Sequence, residues 1–561
     1  MSSSSDSSIN KELFAIGYSQ LQNHQKDVIK DCMILKSGGL CLSMGSGKTF
    51  ISIVLALMLS EDPILVVCSK TLISNWITEI EKFFKDKLKY VILHKEFRKD
   101  FDTFKLDKDV KLILTTAEVT SKAYTDLDIE NEMVYYTLEN EGRFGQHHVC
   151  HYRKTLAPYK NNMIGQGILY SMKWGTLIID EAQNYTNITT TKCRSLISLS
   201  SSYKWCLSGT LFSEPKIERI LGYYLLIDHP YFAHNLPEAQ KMINSDYYRG
   251  IKDTMVTRKE KIVDIKVNEY TITNNLTKEE EKIYLSMKEI LKVLNRKVKE
   301  YKDLGNVVLT RKFSAYILAM LTYLRQCTVC PMLHIANIYL DILNMKEREE
   351  LSKIIMEEFM KLDLKEYLDD ERNVLSSRMK NVLGVIEKIN KKKVVIFTCY
   401  RTNLDLLSHF LINDLKKNVL TIEGNMNSTK RSKVLDDFNK SDECILLLTF
   451  NLGCEGLNLQ SSDTVLLVDF DWNDTKSQQA IARIVRRGQL SKEVSVYYFL
   501  SNLAIEKAIF KRQVQKLNML KQLDSGKMIT EFTPIKVKDI INIITTDENQ
   551  ELFYDIRRNR Y

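Results

Sequence analysis

No apolar run in this 561-residue chain approaches the roughly 18 to 20 residues that a membrane-spanning helix needs, so no membrane association is expected. The opening MSSSSDSS has neither the basic nor the apolar stretch of a secretory signal; residues 1–20 read as a disordered tail, and the protein reads as intracellular. There are only 11 cysteines, and several fall inside strand-like runs (Cys68, Cys206, Cys399, Cys444), which fits reduced buried thiols better than a disulfide framework. Cys327 and Cys330 have the spacing of a metal half-site or a redox pair, but no second pair accompanies them, so packing is the expected role. Charge of one sign is modest: 80 Lys and Arg against 71 Asp and Glu, a formal +9, compatible with a polyanionic partner without requiring one. With 44% hydrophobic and 27% charged residues the composition is that of an ordinary globular chain, too long for one core and expected to form at least two large domains.

Against that background the stretch Val465–Gln489 stands out. An apolar strand, Val465-Leu466-Leu467-Val468, gives way to turn formers, and the spacing then predicts a helix that carries Gln479, Arg483 and Arg486 on one face. Alone this would be a solvated basic face. Two permanently charged, planar guanidiniums also suit a phosphoryl group that gains charge in its transition state. More than four hundred residues upstream, the run Leu40–Leu42, the loop Met44-Gly45-Ser46-Gly47-Lys48-Thr49 and the helix Phe50–Leu59 form the strand, glycine loop and helix of a phosphate cradle. Glycines let backbone N–H groups approach the oxygens, Lys48 reaches the outer phosphates and Thr49 can hold Mg²⁺. The full pattern would place a glycine where Leu42 stands.

The buried strand Thr176–Ile179 ends in Asp180-Glu181, where Asp180 can bind Mg²⁺ and Glu181 can orient and deprotonate a water. Apolar runs at Ile64–Cys68, Tyr90–Leu93, Lys111–Leu114, Trp205–Leu207, Val394–Thr398, Val419–Ile422, Cys444–Leu448 and Val494–Leu500, alternating with helical patterns, predict doubly wound parallel sheets with function at the strands' carboxyl ends. Hydroxyls at those ends, Thr71, Thr115, Thr116 and Thr398, are candidate contacts to a nucleic-acid backbone. Residues 121–173 break the rhythm and read as a surface insertion; its crowded His147, His148, Cys150 and His151 lack the separated second pair of a structural zinc site. Thr277 followed by Glu280 fits a capping box opening a charged helical stretch.

Taken together these motifs resemble a Swi/Snf-type ATPase of helicase superfamily two, in order from about Leu21 to Lys516. Gln25 is similar to the family's adenine-reading glutamine, LISNW (ending at Trp76) and TTAEV (from Thr115) to its next motifs, and DEAQ, with Gln183 at the nucleotide, to its DEAH. Ser208-Gly209-Thr210 resembles the motif that couples hydrolysis to movement, with Leu211 replacing a proline. VTRKEK keeps Arg258 of a paired-arginine segment, and LRQCTVCP resembles the LRQ segment. NLGCEGLNL, with Gly456 and Asn458, resembles the motif that grips nucleotide and nucleic acid, and IARIVRRGQ the arginine motif.

The resemblance implies an α/β chain with two RecA-like parallel-sheet domains: a tail at 1–20, an ATP-binding lobe at 21–250, a helical protrusion and linker at 251–375, a second lobe at 376–535 and a tail at 536–561. It implies an ATP hydrolase using ATP and Mg²⁺, monomeric, translocating on double-stranded DNA, with RNA as the alternative and an RNA polymerase as a further partner. The plan is similar to poxvirus and cytoplasmic linear plasmid helicases, so transcription of a cytoplasmic genome is the expected role and cytoplasm the expected location. The alternatives are a nuclear remodelling or repair ATPase, and a scaffold that binds nucleic acid without turning over ATP.

Overall fold

Runs such as Ile64–Val67 and Leu112–Thr115 are buried along their whole length, as a strand is when helices cover both faces of its sheet. The computed structural model describes the chain apart from residues 1–2, 44, 96–105, 108, 126–134, 138–147, 151–167, 189, 210–216, 230–252, 259–264, 333–334, 336–352, 356, 359–360, 362–374, 390, 425, 427, 454–456, 487, 526–536 and 547–561. It divides into two units, Met1–Ile262 with Met519–Phe532, and Val263–Asn518 with Thr533–Tyr561.

The first unit holds β1 (Gly38–Leu42), β2 (Ile64–Val67), β3 (Tyr90–Ile92), β4 (Leu112–Thr115), β7 (Trp174–Ile179), β8 (Ser201–Ser208) and β9 (Met255–Arg258), all parallel, in the order β3-β4-β2-β7-β8-β1-β9. Leu65 and Val67 face one core and Ile64 and Val66 the other, the alternation a pleated strand imposes. From the insertion, β5 (Tyr135–Thr137) and β6 (His148–Cys150) pair antiparallel; its other candidate ligands, His147 and His151, lie outside the described residues.

Of the tail expected at 1–20, residues 3–20 are not disordered. A helix spans Ser3–Gln20, with Leu13 buried, the Asn10 amide donating to the Ser60 carbonyl at 3.1 Å, and Gly17 seated so tightly that a Cβ would come 2.7 Å from Val54. Its serine-rich start conceals a face that packs on helix Lys48–Leu59.

The second unit holds β10 (Lys266–Asn274), β11 (Lys393–Thr398), β12 (Val419–Ile422), β13 (Cys444–Thr449), β14 (Thr464–Leu467) and β15 (Glu493–Ser501), again all parallel, ordered β10-β15-β14-β11-β13-β12. The region 251–375 is therefore not purely helical. It begins with β9 of the first sheet and β10 of the second before helix Lys278–Asp303, which opens with the expected Thr277–Glu280 capping box. Glu280 also accepts from the Ser377 backbone and hydroxyl at 2.8 and 2.7 Å, tying this helix to the start of helix Ser377–Ile389. Helix Val307–Cys327 is, among the described residues, the one long and apolar enough by length and composition to cross a membrane, but Phe313, Tyr316, Met320 and Leu324 belong to the core of this unit. The expected C-terminal tail includes helix Val537–Thr546, which buries Ile540, Ile541 and Ile544.

Candidate active site

In the first unit, β1 runs into a loop in which Gly45 and Gly47 have φ of 79° and 84°, a region open to glycine at little cost. Gly47 precedes helix Lys48–Leu59 without a side-chain cap, so the helix's first N–H groups and the positive end of its dipole face outward from the loop. The hydroxyl of Ser46 is buried without a hydrogen-bond partner, a donor in the cradle that suits an anion. Lys48 Nζ donates to the carbonyls of Leu42 and Ser43 at 2.9 and 3.3 Å, folding back over the loop. Beside it a cavity of about 310 Å³ is lined by His24, Asp27, Val28, Leu42, Ser43, Ser46, Ile51 and Arg258, and Arg258 pairs with Asp31. Gln25 is placed differently from a base reader: its Nε2 donates to the Ser46 carbonyl at 2.9 Å and its Oε1 accepts from the Gln22 N–H at 3.0 Å, which holds the loop against the helix Asn23–Leu35. The loop residue Met44 lies outside the described residues.

At the end of β7, Asp180 is buried, its Oδ2 accepting from the indole N–H of Trp76 at 2.9 Å and its Oδ1 from the Glu181 backbone at 2.9 Å. Burial, then the neighbouring charge of Glu181, pushes its carboxyl up to about 6; the Trp76 hydrogen bond and the charge of Lys48 oppose that rise. Glu181 itself sits at φ 50°, ψ 46°, a left-handed conformation that is strained for a residue with a Cβ. That turn releases the chain from the strand direction and leaves the Glu181 side chain half-buried.

Gln183, expected at the nucleotide, instead bridges two other candidates. Its Nε2 donates to Glu181 Oε2 at 2.6 Å and its Oε1 accepts from the buried Ser208 hydroxyl at 2.6 Å. The last residue of β8 is thus connected to the acidic pair by one amide. Gly209 follows Ser208, and Thr210 lies outside the described residues. Among the described residues no three or more His, Cys, Asp and Glu side chains are grouped to hold a metal ion. One carboxylate and one hydroxyl, Asp180 and Thr49, are the donor set expected for a Mg²⁺ that takes its other oxygens from phosphate and water.

Three of the proposed nucleic-acid contacts are withdrawn by burial: Thr115, Thr116 and Thr398 are each 0% exposed. Thr115 donates to the Leu93 carbonyl, Thr116 accepts from the Val119 N–H, and Thr398 donates to Asp469 at 2.8 Å, so each hydroxyl closes a strand end internally. Thr71 remains half-buried, paired with Ser69 at 2.9 Å, and Asn458 is exposed. Gly456 lies outside the described residues.

In the second unit the helix over Asp474–Ala482 stops before the arginines. Arg483 is its C-cap, and the chain continues in irregular turns, the Ile484 and Val485 N–H groups both bonding the Ile481 carbonyl and the Gln489 N–H that of Arg486. The single face predicted for Gln479, Arg483 and Arg486 is therefore replaced by a buried Gln479 inside the helix and two half-buried arginines at and beyond its end. A group that sequence reading left without a role surrounds the nearby strand ends. Asp469 accepts from Thr398, from the Cys399 N–H at 2.7 Å and from Asn403, and burial holds its carboxyl above the usual range. Arg325 donates to the Phe470 carbonyl at 2.6 Å and lies 5.5 and 5.6 Å over the rings of Tyr400 and Trp472, with Arg512 also 5.6 Å from Trp472. The LRQ segment and the Asp-Trp pair in the loop after β14 were the signals available for this cluster.

Comparison with known proteins bears on both units. Residues 24–333 match the SNF2-related domain and residues 377–488 the helicase conserved C-terminal domain. The chain is 25% identical over 522 residues to "Putative helicase 172L" of Invertebrate iridescent virus 6, covering 85% of this chain and 83% of that one. It is 25% identical over 440 residues to the DNA repair and recombination protein RAD54-like of Drosophila grimshawi, covering 72% of this chain and 54% of the relative, so it spans about half the length of that protein. Among solved structures, the Sulfolobus solfataricus SWI2/SNF2 ATPase core in complex with dsDNA aligns over 96% of each chain at 18% identity and a TM-score of 0.35. With two doubly wound parallel sheets and the SNF2-related match extending over more than half its length, this chain belongs to the SNF2-related family and is an ATP hydrolase of the nucleic-acid-dependent helicase type.

Proposed function

We propose that this protein couples ATP hydrolysis to movement along double-stranded DNA and serves transcription of a cytoplasmic viral or plasmid genome. The observation that carries the enzymatic part is the strand end of β7: a buried Asp180 oriented by Trp76, next to a strained Glu181, within the field of Lys48. In this reading Lys48 leaves the Leu42 and Ser43 carbonyls for the outer phosphates of ATP, while the N–H groups of Gly45 to Thr49 and the Ser46 hydroxyl hold the rest. Thr49 and Asp180 would hold Mg²⁺, which supplies charge neutralisation at the phosphate oxygens. Glu181 orients the attacking water and takes its proton, and Arg483 and Arg486 meet the charge that develops on the γ-phosphate.

The Ser208–Gln183–Glu181 connection supports a coupling role for β8: a shift of Ser208 withdraws Gln183 from Glu181 and changes the base's position. Thr71 and Asn458 are the remaining candidates for backbone contact to DNA. The similarity to a viral helicase over most of both lengths supports the cytoplasmic role; in this reading an RNA polymerase is the partner and a monomer the working unit. The RAD54-like similarity favours a second reading, a nuclear repair ATPase.

ATP turnover by the purified chain, at near-physiological salt and with no nucleic acid, single-stranded DNA, duplex DNA or RNA, tests the proposal. Stimulation by duplex DNA is expected. Equal turnover in all four would overturn the translocase reading, and none in any would point to a non-catalytic scaffold. Fractionation of the source cells, with the protein found in nuclei, would move the role to the repair reading.

A further inference from the structure

Helices Lys278–Asp303 and Val307–Cys327 form a hairpin whose outer end stands clear of the core of the second unit. The last fully buried residue on the way out is Leu294 and the first on the way back is Phe313. About nine residues, or ~13 Å, of the first helix run past that last fully buried position, with Val298 and Tyr301 still packed against the cluster and the residues from Lys302 exposed. The turn is not loose. Asn306 N–H bonds the Tyr301 carbonyl and Gly305 N–H the Lys302 carbonyl, with Gly305 at φ 68°, the paired bonds of a Schellman C-cap. Asn306 then caps the second helix, its Oδ1 accepting from the Leu309 N–H at 3.0 Å.

This fixed turn presents aliphatic side chains to solvent: Leu304, Val307 and Val308 are 71%, 59% and 76% exposed. A rigid tip with three adjacent exposed aliphatics is costly in water and points to an occupant. The stalk beneath indicates which. Between residues 295 and 312 six basic side chains, Arg296, Lys297, Lys299, Lys302, Arg311 and Lys312, stand against Glu300 and Asp303 alone. Lys297 and Lys312 lie over the rings of Phe313 and Tyr316 at 5.5 and 5.8 Å, which fixes their stems along the hairpin. Basic sides and an aliphatic end are what a nucleic acid meets when a protein holds its phosphates and presses an apolar wedge against a base step.

We infer that the tip of this hairpin is a second nucleic-acid contact, its basic stalk on the phosphate backbone and Leu304, Val307 and Val308 against a base pair at a step or fork. The inference rests on the nucleic-acid reading above and adds to it a device for opening strands. Two variants separate the parts: a stalk variant, Lys299→Glu with Lys302→Glu and Arg311→Glu, and a tip variant, Leu304→Ser with Val307→Ser and Val308→Ser. All six positions are exposed, and far-UV circular dichroism matching the wild type shows that the helices persist.

The probe is a forked DNA duplex carrying 2-aminopurine at the junction, with binding measured across a salt series. The stalk variant is expected to lower the slope of log affinity against log salt by roughly 2 to 3, about 0.9 for each phosphate no longer neutralised. The tip variant should bind with the wild-type slope but lose the rise in 2-aminopurine fluorescence that the wild type produces. Both variants matching the wild type in slope and fluorescence would overturn the inference. So would loss of binding to anionic vesicles with DNA binding intact, which would assign the tip to a membrane surface. A wild type whose ATP turnover ignores DNA, yet whose fork binding still depends on the stalk, would sink the translocase reading and leave the hairpin's role standing.

Discussion

Replacing Trp76 by Phe removes one atom group that matters, the indole N–H, and keeps most of the apolar bulk. Trp76 is 1% exposed and Asp180 8%, so the 2.9 Å bond between them has no water to replace it. A buried hydrogen bond to a charged group contributes about 1.5–3 kcal/mol. At about 1.4 kcal/mol per pKa unit its loss raises the Asp180 carboxyl by roughly one to two units, from about 6 to between about 7 and 8. The ionised carboxylate is the form that can hold Mg²⁺, and a raised carboxyl loses that form as the pH falls. In the wild type the loss comes below about 6; in Trp76→Phe it comes around neutrality. The assay is kcat/KM for ATP between pH 5.5 and 9 at saturating Mg²⁺. The acid limb should move up by one unit or more, and turnover at pH 7 should drop about two- to tenfold while turnover at pH 9 recovers toward the wild type. A smaller ring also leaves some empty volume and lowers Tm, but that loss does not move a pH limb. An unchanged limb in a folded variant would refute the role given to Trp76.

Arg486→Ala is expected to leave ATP binding measurable by a fluorescent nucleotide and to cut turnover about a thousandfold or more, as loss of an arginine at a phosphoryl transition state does; normal DNA-stimulated hydrolysis would rule the assignment out. Gly47→Ala places a Cβ 2.6 Å from Gln25 Nε2 at a backbone φ of 84°, so ATP affinity should fall at least tenfold, and Gln25→Ala in the same chain should recover part of it; equal affinities across the series would show that the loop tolerates the change. Arg378 and Glu506, 1% and 4% exposed, form a 2.7 Å ion pair that joins helix Ser377–Ile389 to helix Ala504–Ser525. Arg378→Met or Glu506→Leu alone should cost about 3–5 kcal/mol in urea unfolding, and the double substitution less than their sum; single losses under about 1 kcal/mol would contradict the account of a buried pair.

What the amino-acid sequence determined by itself is whatever depends on neighbours a few positions away. The largely apolar runs of β1, β2, β4, β7, β11 and β13 announce strands covered on both faces. The Gly45–Thr49 loop and the Asp180-Glu181 pair after a strand announce phosphate chemistry, and the Thr277–Glu280 box announces a helix start, because turn and cap chemistry is local. Tertiary structure decided the rest. β10 reads KVNEYTITN with little buried, since an edge strand needs only β15, more than two hundred residues on, to form its ladder. A hydroxyl at a strand end looks the same in sequence whether it faces a ligand or, like Thr398, a carboxylate 71 residues away. Helix Asp474–Ala482 ends where Arg483 begins, which helical spacing does not reveal. The Trp76–Asp180 bond spans 104 positions and the Ser208–Gln183 bond 25. Hydrogen-bond partners across the molecule are chosen by which strand ends the sheet order brings side by side, and no periodicity in the chain encodes that order.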